Sequence, residues 1–307
     1  MTEAARQAAA ELAGGEQVSR GQTAVDLLVA LLDLERIEEN IFRGVSPEVS
    51  PVRVFGGQVA GQALVAAGRT VEPDRRVHSL HAYFIRPGDP SVPIVYEVDR
   101  IRDGRSFTTR RVVAVQRGKA IFSLSASFHR AEPGIEHAEP MPDVPAPEEL
   151  PSRTESLLKW ADQLGRLAKL PQPIDVRYVT EPPWEVRGRG GRREARNQVW
   201  MRADGLLPDT PDGDLLHVCM LTYASDLTLL DSVLVRHGVY WGQGEVSGAS
   251  LDHALWFHRP LRFDEWVLYD CDSPSASGAR GLATGRFFSR DGTHIATVVQ
   301  EGLLRVR

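Results

Sequence analysis

Cysteine is scarce: Cys219 and Cys271 are the only two in 307 residues. They stand far apart, in neither a CxxC pair nor a zinc spacing, which argues against a disulfide framework and a structural zinc site. Both lie in apolar surroundings, the setting of buried reduced thiols, and point to a reducing compartment. No apolar run approaches the ~18 residues needed to cross a bilayer. Phosphate-loop and HExxH patterns are absent, and "GGQVAG" (56–61) fails the GxGxxG spacing of a dinucleotide site. "GASLD" (248–252) lacks the last glycine of a nucleophile elbow and leads into a strand, where the elbow needs a helix. An excess of positive charge is missing too. With 36 Lys and Arg against 41 Asp and Glu, the net charge of -5 weighs against nucleic acid. A small anionic ligand remains compatible, because a local basic pocket disappears in the sum.

What is present is ordinary globular material, 42% hydrophobic and 25% charged, enough for a sizeable core. It is organised as two similar halves. "SLHAYFIRP" (79–87) resembles "LDHALWFHRP" (251–260), with Arg86-Pro87 and Arg259-Pro260 at an offset of 173. Gly118 and Ile121 pair with Gly292 and Ile295 at 174, and "FGGQVAGQALVAAG" (55–68) faces 215–234 more loosely. Alternation predicts strands near 77–86, 92–102, 105–116 and 120–130, then 250–259, 265–272, 279–289 and 294–305. A helix is expected over 24–34, with 34–43 running on into a strand. Each half then reads as one helix followed by four long antiparallel strands that wrap it, an α+β architecture. The expected layout is a frayed tail over 1–23, a first unit over 24–130, a linker with a helix near 154–168 over 131–172, and a second unit over 173–307. Residues 181–193 read as a Gly/Arg loop, either solvated or gripping phosphates. "DSPSASGARGLATG" (272–285) reads as a strand-to-strand loop or a groove for a ligand.

Three polar residues disturb the apolar pattern of the second half. In "LLHVCMLTYASDLTLLDSVL" (215–234), Leu216, Met220, Tyr223, Leu227, Leu230 and Leu234 recur at helical spacing. At about 100° per residue, Asp226 falls about 60° from Tyr223, at the edge of that stripe. A carboxylate there needs donors. It caps a helix break, pairs with a basic residue, or serves as a general base. Thr228 lies about 200° around the helix and is no partner. Gln300 shares a strand face with Ala296, Val298, Gly302 and Leu304, and Ser250 opens the strand of "SLDHALWFHRP". His253 and His258, five apart, point to opposite faces; His253 also faces away from Ser250.

Taken together and in order, "FRG" (42–44), "FGGQVAGQAL" (55–64), "VHSLHAYFIRPGD" (77–89), "YASDL" (223–227), "LDHALWFHRP" (251–260), "SPSASGARG" (273–281) and "VVQEGLLR" (298–305) resemble the type II acyl-CoA thioesterases, the TesB-like double hotdog family. The resemblance covers nearly all of 24–307. It implies a double hotdog fold, hydrolysis of acyl-CoA to free acid and CoA, and an Asp/Thr/Gln triad that orders a water for direct attack. By motif position the triad falls on Asp226, Ser250 and Gln300, with Ser in place of the family's Thr. Ser keeps the hydroxyl and loses the methyl that stiffens χ1. No metal or bound organic cofactor is needed and no covalent intermediate is expected. Backbone N–H groups near Gly56 and Gly57 are candidate oxyanion donors. The first half offers Gln58 and Gln62 with no acid, so one site per chain is expected, walled partly by the first half. The partners expected are acyl-CoA and CoA, with neither nucleic acid nor membrane, in a cytoplasmic homo-oligomer. The alternatives are a non-catalytic acyl-CoA-binding hotdog protein and a hotdog hydratase.

Overall fold

A computed structural model describes residues 20–47, 53–152, 155–156, 172–186, 194–209, 213–241 and 246–306. The chain enters through helix α1 (Arg20–Leu32) and a short hairpin, β1 (Glu35–Glu38) and β2 (Ile41–Gly44). Helix α2 (Gly56–Gly68) follows, then four long strands: β3 (Arg76–Phe84), β4 (Ile94–Asp103), β5 (Phe107–Gln116) and β6 (Lys119–His129). Past a 3-10 turn (Pro147–Glu149) come β7 (Ile174–Tyr178), the short helix α3 (Pro183–Val186) and β8 (Arg196–Ala203). Helices α4 (Gly213–Ser225) and α5 (Asp231–His237) precede β9 (Val246–Ser250), β10 (Asp252–Phe257), β11 (Val267–Ser277), β12 (Arg280–Ser289) and β13 (His294–Val306).

Strands β3 to β6 and β10 to β13 overlap the eight stretches that alternation predicts, but β10 is only six residues long and begins at Asp252, and β11 runs on to Ser277. The first-half stretch expected as a single strand after Leu34 is a hairpin turning at Glu39-Asn40. β7, β8 and β9 were not anticipated, and they correct the scheme of one helix followed by four strands. β7 and β8 precede α4 and α5. "DSPSASGARGLATG" is the β11–β12 hairpin, turning at Gly278 (φ 56) and Ala279 (φ 59), the positive-φ pair of a two-residue turn. The helix expected near 154–168 lies outside the described residues except Glu155 and Ser156, as does 187–193 of the Gly/Arg loop.

One antiparallel sheet runs through the molecule in the order β1-β2-β4-β5-β6-β3-β10-β13-β12-β11-β8-β7, with β9 also on β13. The halves meet where β3 pairs with β10, Leu80 opposite Leu255 and His81 opposite Ala254. Each half curls around helix, giving the helix-in-sheet unit twice, the double hotdog. α2 is buried on nearly every side, from Gly57 through Ala67. It is built of small residues because strands press on one side and α4 on the other: a Cβ on Gly61 would lie 3.2 Å from Leu32 and 3.3 Å from the Cys219 carbonyl. Cys219 and Cys271 are both free and buried.

Residues 141–150 run along the outside of the second half. Met141, Val144 and Leu150 cover Trp200, Trp266, Leu268 and Phe288, and Trp200 Nε1 donates to the Pro145 carbonyl at 3.0 Å. The Pro/Glu-rich stretch is therefore a strap anchored at its end.

Gln58 and Gln62 of α2 do structural work. Gln58 donates to the Val45 carbonyl and Ser46 Oγ, and Gln62 to the Leu31 and Val45 carbonyls. The hydroxyl of fully buried Tyr96 donates to Gln62 Oε1 at 2.7 Å. Tyr96→Phe removes that donor without changing volume. It should cost about 1–2 kcal/mol, read as a lower midpoint in urea with an unchanged m-value.

Candidate active site

The helix expected across 215–234 breaks in the middle. α4 stops at Ser225, and 226–230 form a tight turn in which Leu227 N–H donates to the Ala224 carbonyl at 3.0 Å and Asp231 N–H to Thr228 at 3.2 Å. The continuous apolar stripe is thereby corrected: Leu227 is 36% exposed, while Leu230 and Leu234 belong to the start and body of α5. The break releases the backbone so that the Asp226 side chain turns inward to the start of α2. Ser225, Asp226 and Thr228, three polar residues within four positions, favour such a break, since their side chains compete for nearby backbone groups.

Asp226, Ser250 and Gln300 come together. Gln300 Nε2 donates to Asp226 Oδ1 at 2.7 Å, and Ser250 Oγ donates to the same oxygen at 3.2 Å. The backbone N–H of Gly57, in the first turn of α2, also favours the ionised carboxylate. Gly57 N–H lies toward Asp226 at the start of α2, where the sequence places candidate oxyanion donors. Thr228 takes no part, its hydroxyl buried without a partner.

Ser250 ends β9; it does not open the following strand as expected. Both β9 and β10 pair with β13, Ser250 opposite Gly302 and Ala254 opposite Val299, and the chain kinks between them at Leu251. Asp252 Oδ1 accepts the Glu301 N–H at 2.7 Å and Leu251 N–H reaches the Glu301 carbonyl at 2.9 Å, which fixes the kink. Gln300 is inward on β13, on the same buried face as Ala296, Val298 and Gly302, as its spacing indicates.

A cavity of about 700 Å³ opens onto Asp226 and Ser250. Arg53, Phe55, Gly56, Val59, Phe84 and Arg86 line it from the first half, and Leu230, Trp241 and Gly248 from the second. Gln300 is fully buried beneath the carboxylate and not part of the cavity wall. Burial pushes the Asp226 carboxyl up to about 6, against the pull of Gln300, Ser250, Gly57 N–H and the Arg53 guanidinium.

Known proteins match this chain over most of its length. The model of the "Acyl-CoA thioesterase" family matches residues 167–303, and that of the "Acyl-CoA thioesterase N-terminal domain" matches 45–129. Acyl-coenzyme A thioesterase 8 of Homo sapiens is 42% identical over 293 residues, 92% of this chain and 89% of that protein. Acyl-CoA thioesterase 2 of Haemophilus influenzae is 40% identical over 285 residues, 91% of this chain and 96% of its own. The solved structure of acyl-CoA thioesterase II TesB2 from Mycobacterium marinum is 44% identical, with a TM-score of 0.73 over 92% of this chain and 98% of that one. The chain belongs to the acyl-CoA thioesterase family. It is a thioester hydrolase with the double hotdog fold.

Two features of this thioesterase's site were not legible in the sequence. One is why "FGG" opens α2: a Cβ on Gly56 would lie 2.6 Å from Asp226 Oδ2 and 2.9 Å from the Phe84 ring, and one on Gly57 2.3 Å from the Tyr223 carbonyl. The other is His253, fully buried, with Nε2 2.8 Å from Ser225 Oγ. Strand alternation turned it away from Ser250, but the kink at Leu251 resets the alternation, and the imidazole reaches the residue preceding Asp226.

Two outcomes are expected. Gly56→Ala should displace the Asp226 carboxylate and lower kcat by about tenfold or more, measured by thiol release. In the second, the raised carboxyl makes the folded state hold a proton that the unfolded chain gives up near 3.8. Stability from this group is thus lost as pH rises from about 4 to about 6. The stability of Asp226→Asn minus that of the wild type should grow across that window, measured by urea unfolding at each pH.

Proposed function

We propose that this chain hydrolyses acyl-CoA thioesters by direct attack of a water activated at Asp226, with Ser250 and Gln300 holding the carboxylate in place. The observation that carries this reading is the Asp226 carboxylate itself. It faces a cavity large enough for an acyl thioester, one oxygen is held by two side-chain donors, and its pKa near 6 suits a base at neutral pH. The carboxylate takes a proton from water as the water oxygen bonds to the thioester carbonyl carbon. Collapse of the tetrahedral intermediate breaks the C–S bond, and the proton passes from Asp226 to the departing thiolate. The products are the free acid and CoA. The acyl chain fits the apolar walls, Phe55, Val59, Phe84 and Leu230, while Arg53 and Arg86 give the lining a charge that suits the phosphates of CoA.

A hydratase reading is disfavoured by His253. That chemistry wants a histidine beside the acid and open to substrate, whereas this ring is sealed in the core and its basicity is pushed down to about 4 by burial. A binding protein without turnover is the reading that an assay separates.

The test is CoA release from acyl-CoAs of short to long chain, as a function of pH. The wild type should turn over, with kcat/KM rising through an acid limb near 6. Asp226→Asn should lose activity by about 100-fold or more. Full activity in that variant, or tight binding of acyl-CoA with no CoA release by the wild type, would overturn the proposal. Ser250→Ala should lower kcat by about tenfold with the fold intact.

A further inference from the structure

Gln300 poses a problem that the hydrogen bonds to Asp226 do not solve. A side-chain amide has two ends of nearly equal shape, one a donor and one an acceptor. With Nε2 toward Asp226, it stabilises the carboxylate. Turned over, it would set Oε1 against a carboxylate oxygen, and the two would repel. The repulsion acts only while Asp226 is ionised, so a donor at the other end of the amide is what would hold the choice in both protonation states.

That end meets His253. Gln300 is fully buried on β13 and His253 fully buried on β10. Gln300 Oε1 and His253 Nδ1 are buried polar atoms that both lack a partner within ordinary hydrogen-bond limits. They are an acceptor and a potential donor on side chains that already influence each other, since the Gln300 amide holds up the basicity of the His253 ring. The far nitrogen of the ring, Nε2, is fixed at 2.8 Å from Ser225 Oγ. Burial keeps the imidazole neutral across the working range, so one ring nitrogen carries a hydrogen and the other accepts. A Ser225 hydroxyl that donates to Nε2 leaves the hydrogen on Nδ1, facing Gln300 Oε1. Ser225 Oγ also lies 2.8 Å from the Thr222 carbonyl, the competing acceptor for its single proton.

We propose that His253 is a positioning residue: with Ser225 behind it, it offers Nδ1–H to Gln300 Oε1 and so locks the amide with its N–H toward Asp226. The chain runs Ser225 O–H to His253 Nε2, His253 Nδ1–H to Gln300 Oε1, and Gln300 Nε2–H to Asp226 Oδ1. The proposal rests on Asp226 being the base. His253 touches neither the cavity nor the reacting atoms, so its effect is read through Asp226.

The test uses His253→Asn, which keeps an amide N–H near the place of Nδ1, against His253→Gln and His253→Leu, which do not. Each is measured in the full chain for kcat, KM and the acid limb of kcat/KM, with Asp226→Asn alongside. His253→Gln and His253→Leu should lower kcat by about tenfold or more with KM within about twofold, because substrate contacts are untouched. Their acid limb should move up from about 6, since a freed amide no longer holds the carboxylate down. His253→Asn should stay within about threefold of wild type in kcat and keep the limb in place. The other groups facing Asp226 are Arg53 in the cavity lining, Tyr223 on α4, Tyr269 on β11 and Asp231 at the start of α5, and none of the variants alters them. A wild-type kcat and limb in His253→Gln, or a His253→Asn as impaired as His253→Gln, overturns the proposal. If His253→Leu fails to fold, the Asn and Gln pair decides alone. Loss of activity in Asp226→Asn with indifferent His253 variants defeats this proposal only; an active Asp226→Asn defeats the Asp226 mechanism and this proposal with it.

Discussion

The buried Asp226 carboxylate is held at the seam between the two halves, and the surrounding structure is shaped by supplying it with donors. Burial alone would leave Asp226 protonated or expel it. Here Ser250 reaches it from the end of β9 and Gln300 from β13, while Gly57 N–H acts from α2 and the Arg53 guanidinium from the loop before α2. The balance comes out near 6, between a solvated aspartate and a neutral acid. Three irregularities follow from that single requirement. The helix breaks after Ser225 so that the side chain can turn in. Two glycines open α2 because any Cβ would strike Asp226 or the Tyr223 carbonyl. The last is the kink at Leu251, which lets Ser250 and His253 face the same interior from positions three apart.

The regular parts of this fold were written in the sequence, and the irregular parts were not. Long strands with one buried face announce themselves by alternation, so β3 to β6 and β10 to β13 were legible in place, as was the repeat that pairs the halves. The small polar run at 272–285 reads as a loop or a groove, yet all of it except Gly278 and Ala279 is strand, because its small polar residues carry no alternation to mark the end of β11. β7, with five residues, is too short for period to speak, and β8 sits after a Gly/Arg-rich stretch that masks it. The helix break was invisible for a different reason: Leu230 and Leu234 continue the spacing of Leu216 and Met220 across it, so periodicity reports one helix where there are two. Of the candidate site, Asp226 and Gln300 were detectable as polar residues in apolar runs. The structural bond that brings Ser250 to them depends on the kink. Once a strand slips by a residue, every later side chain changes face, and this hid His253.

The two halves share a plan but not a chemistry, and packing explains the difference. α2 is enclosed on almost all sides, and its two glutamines are occupied by the carbonyls of Leu31 and Val45, with Tyr96 closing Gln62. Those amides finish off the loop after β2, which would otherwise leave buried carbonyls unpaired. Taken up by those carbonyls and by Tyr96, the two amides hold the packing together. The first half instead gives the site its walls, Phe55, Val59 and Phe84, and the start of α2, whose N–H groups and positive end favour the carboxylate.

The distances around Asp226 are unequal, and that inequality ranks its partners. Gln300 donates at 2.7 Å and Ser250 at 3.2 Å to the same oxygen. A charge-assisted bond strengthens as it shortens, so the amide contributes more than the hydroxyl. Ser250 also lacks the second Cβ substituent that would confine its χ1, so its hydroxyl is the less firmly placed of the two. A site with a short bond from a buried amide tolerates a looser hydroxyl. The demand then passes to whatever keeps the amide the right way round, because an amide presenting oxygen would turn the strongest attraction at Asp226 into a repulsion. Nothing at the cavity surface can enforce that choice, since Gln300 never reaches it. On the arrangement proposed above, the orientation of the Asp226 carboxylate is set in the closed core behind it, along the line from Gln300 through His253 to Ser225 at the end of α4.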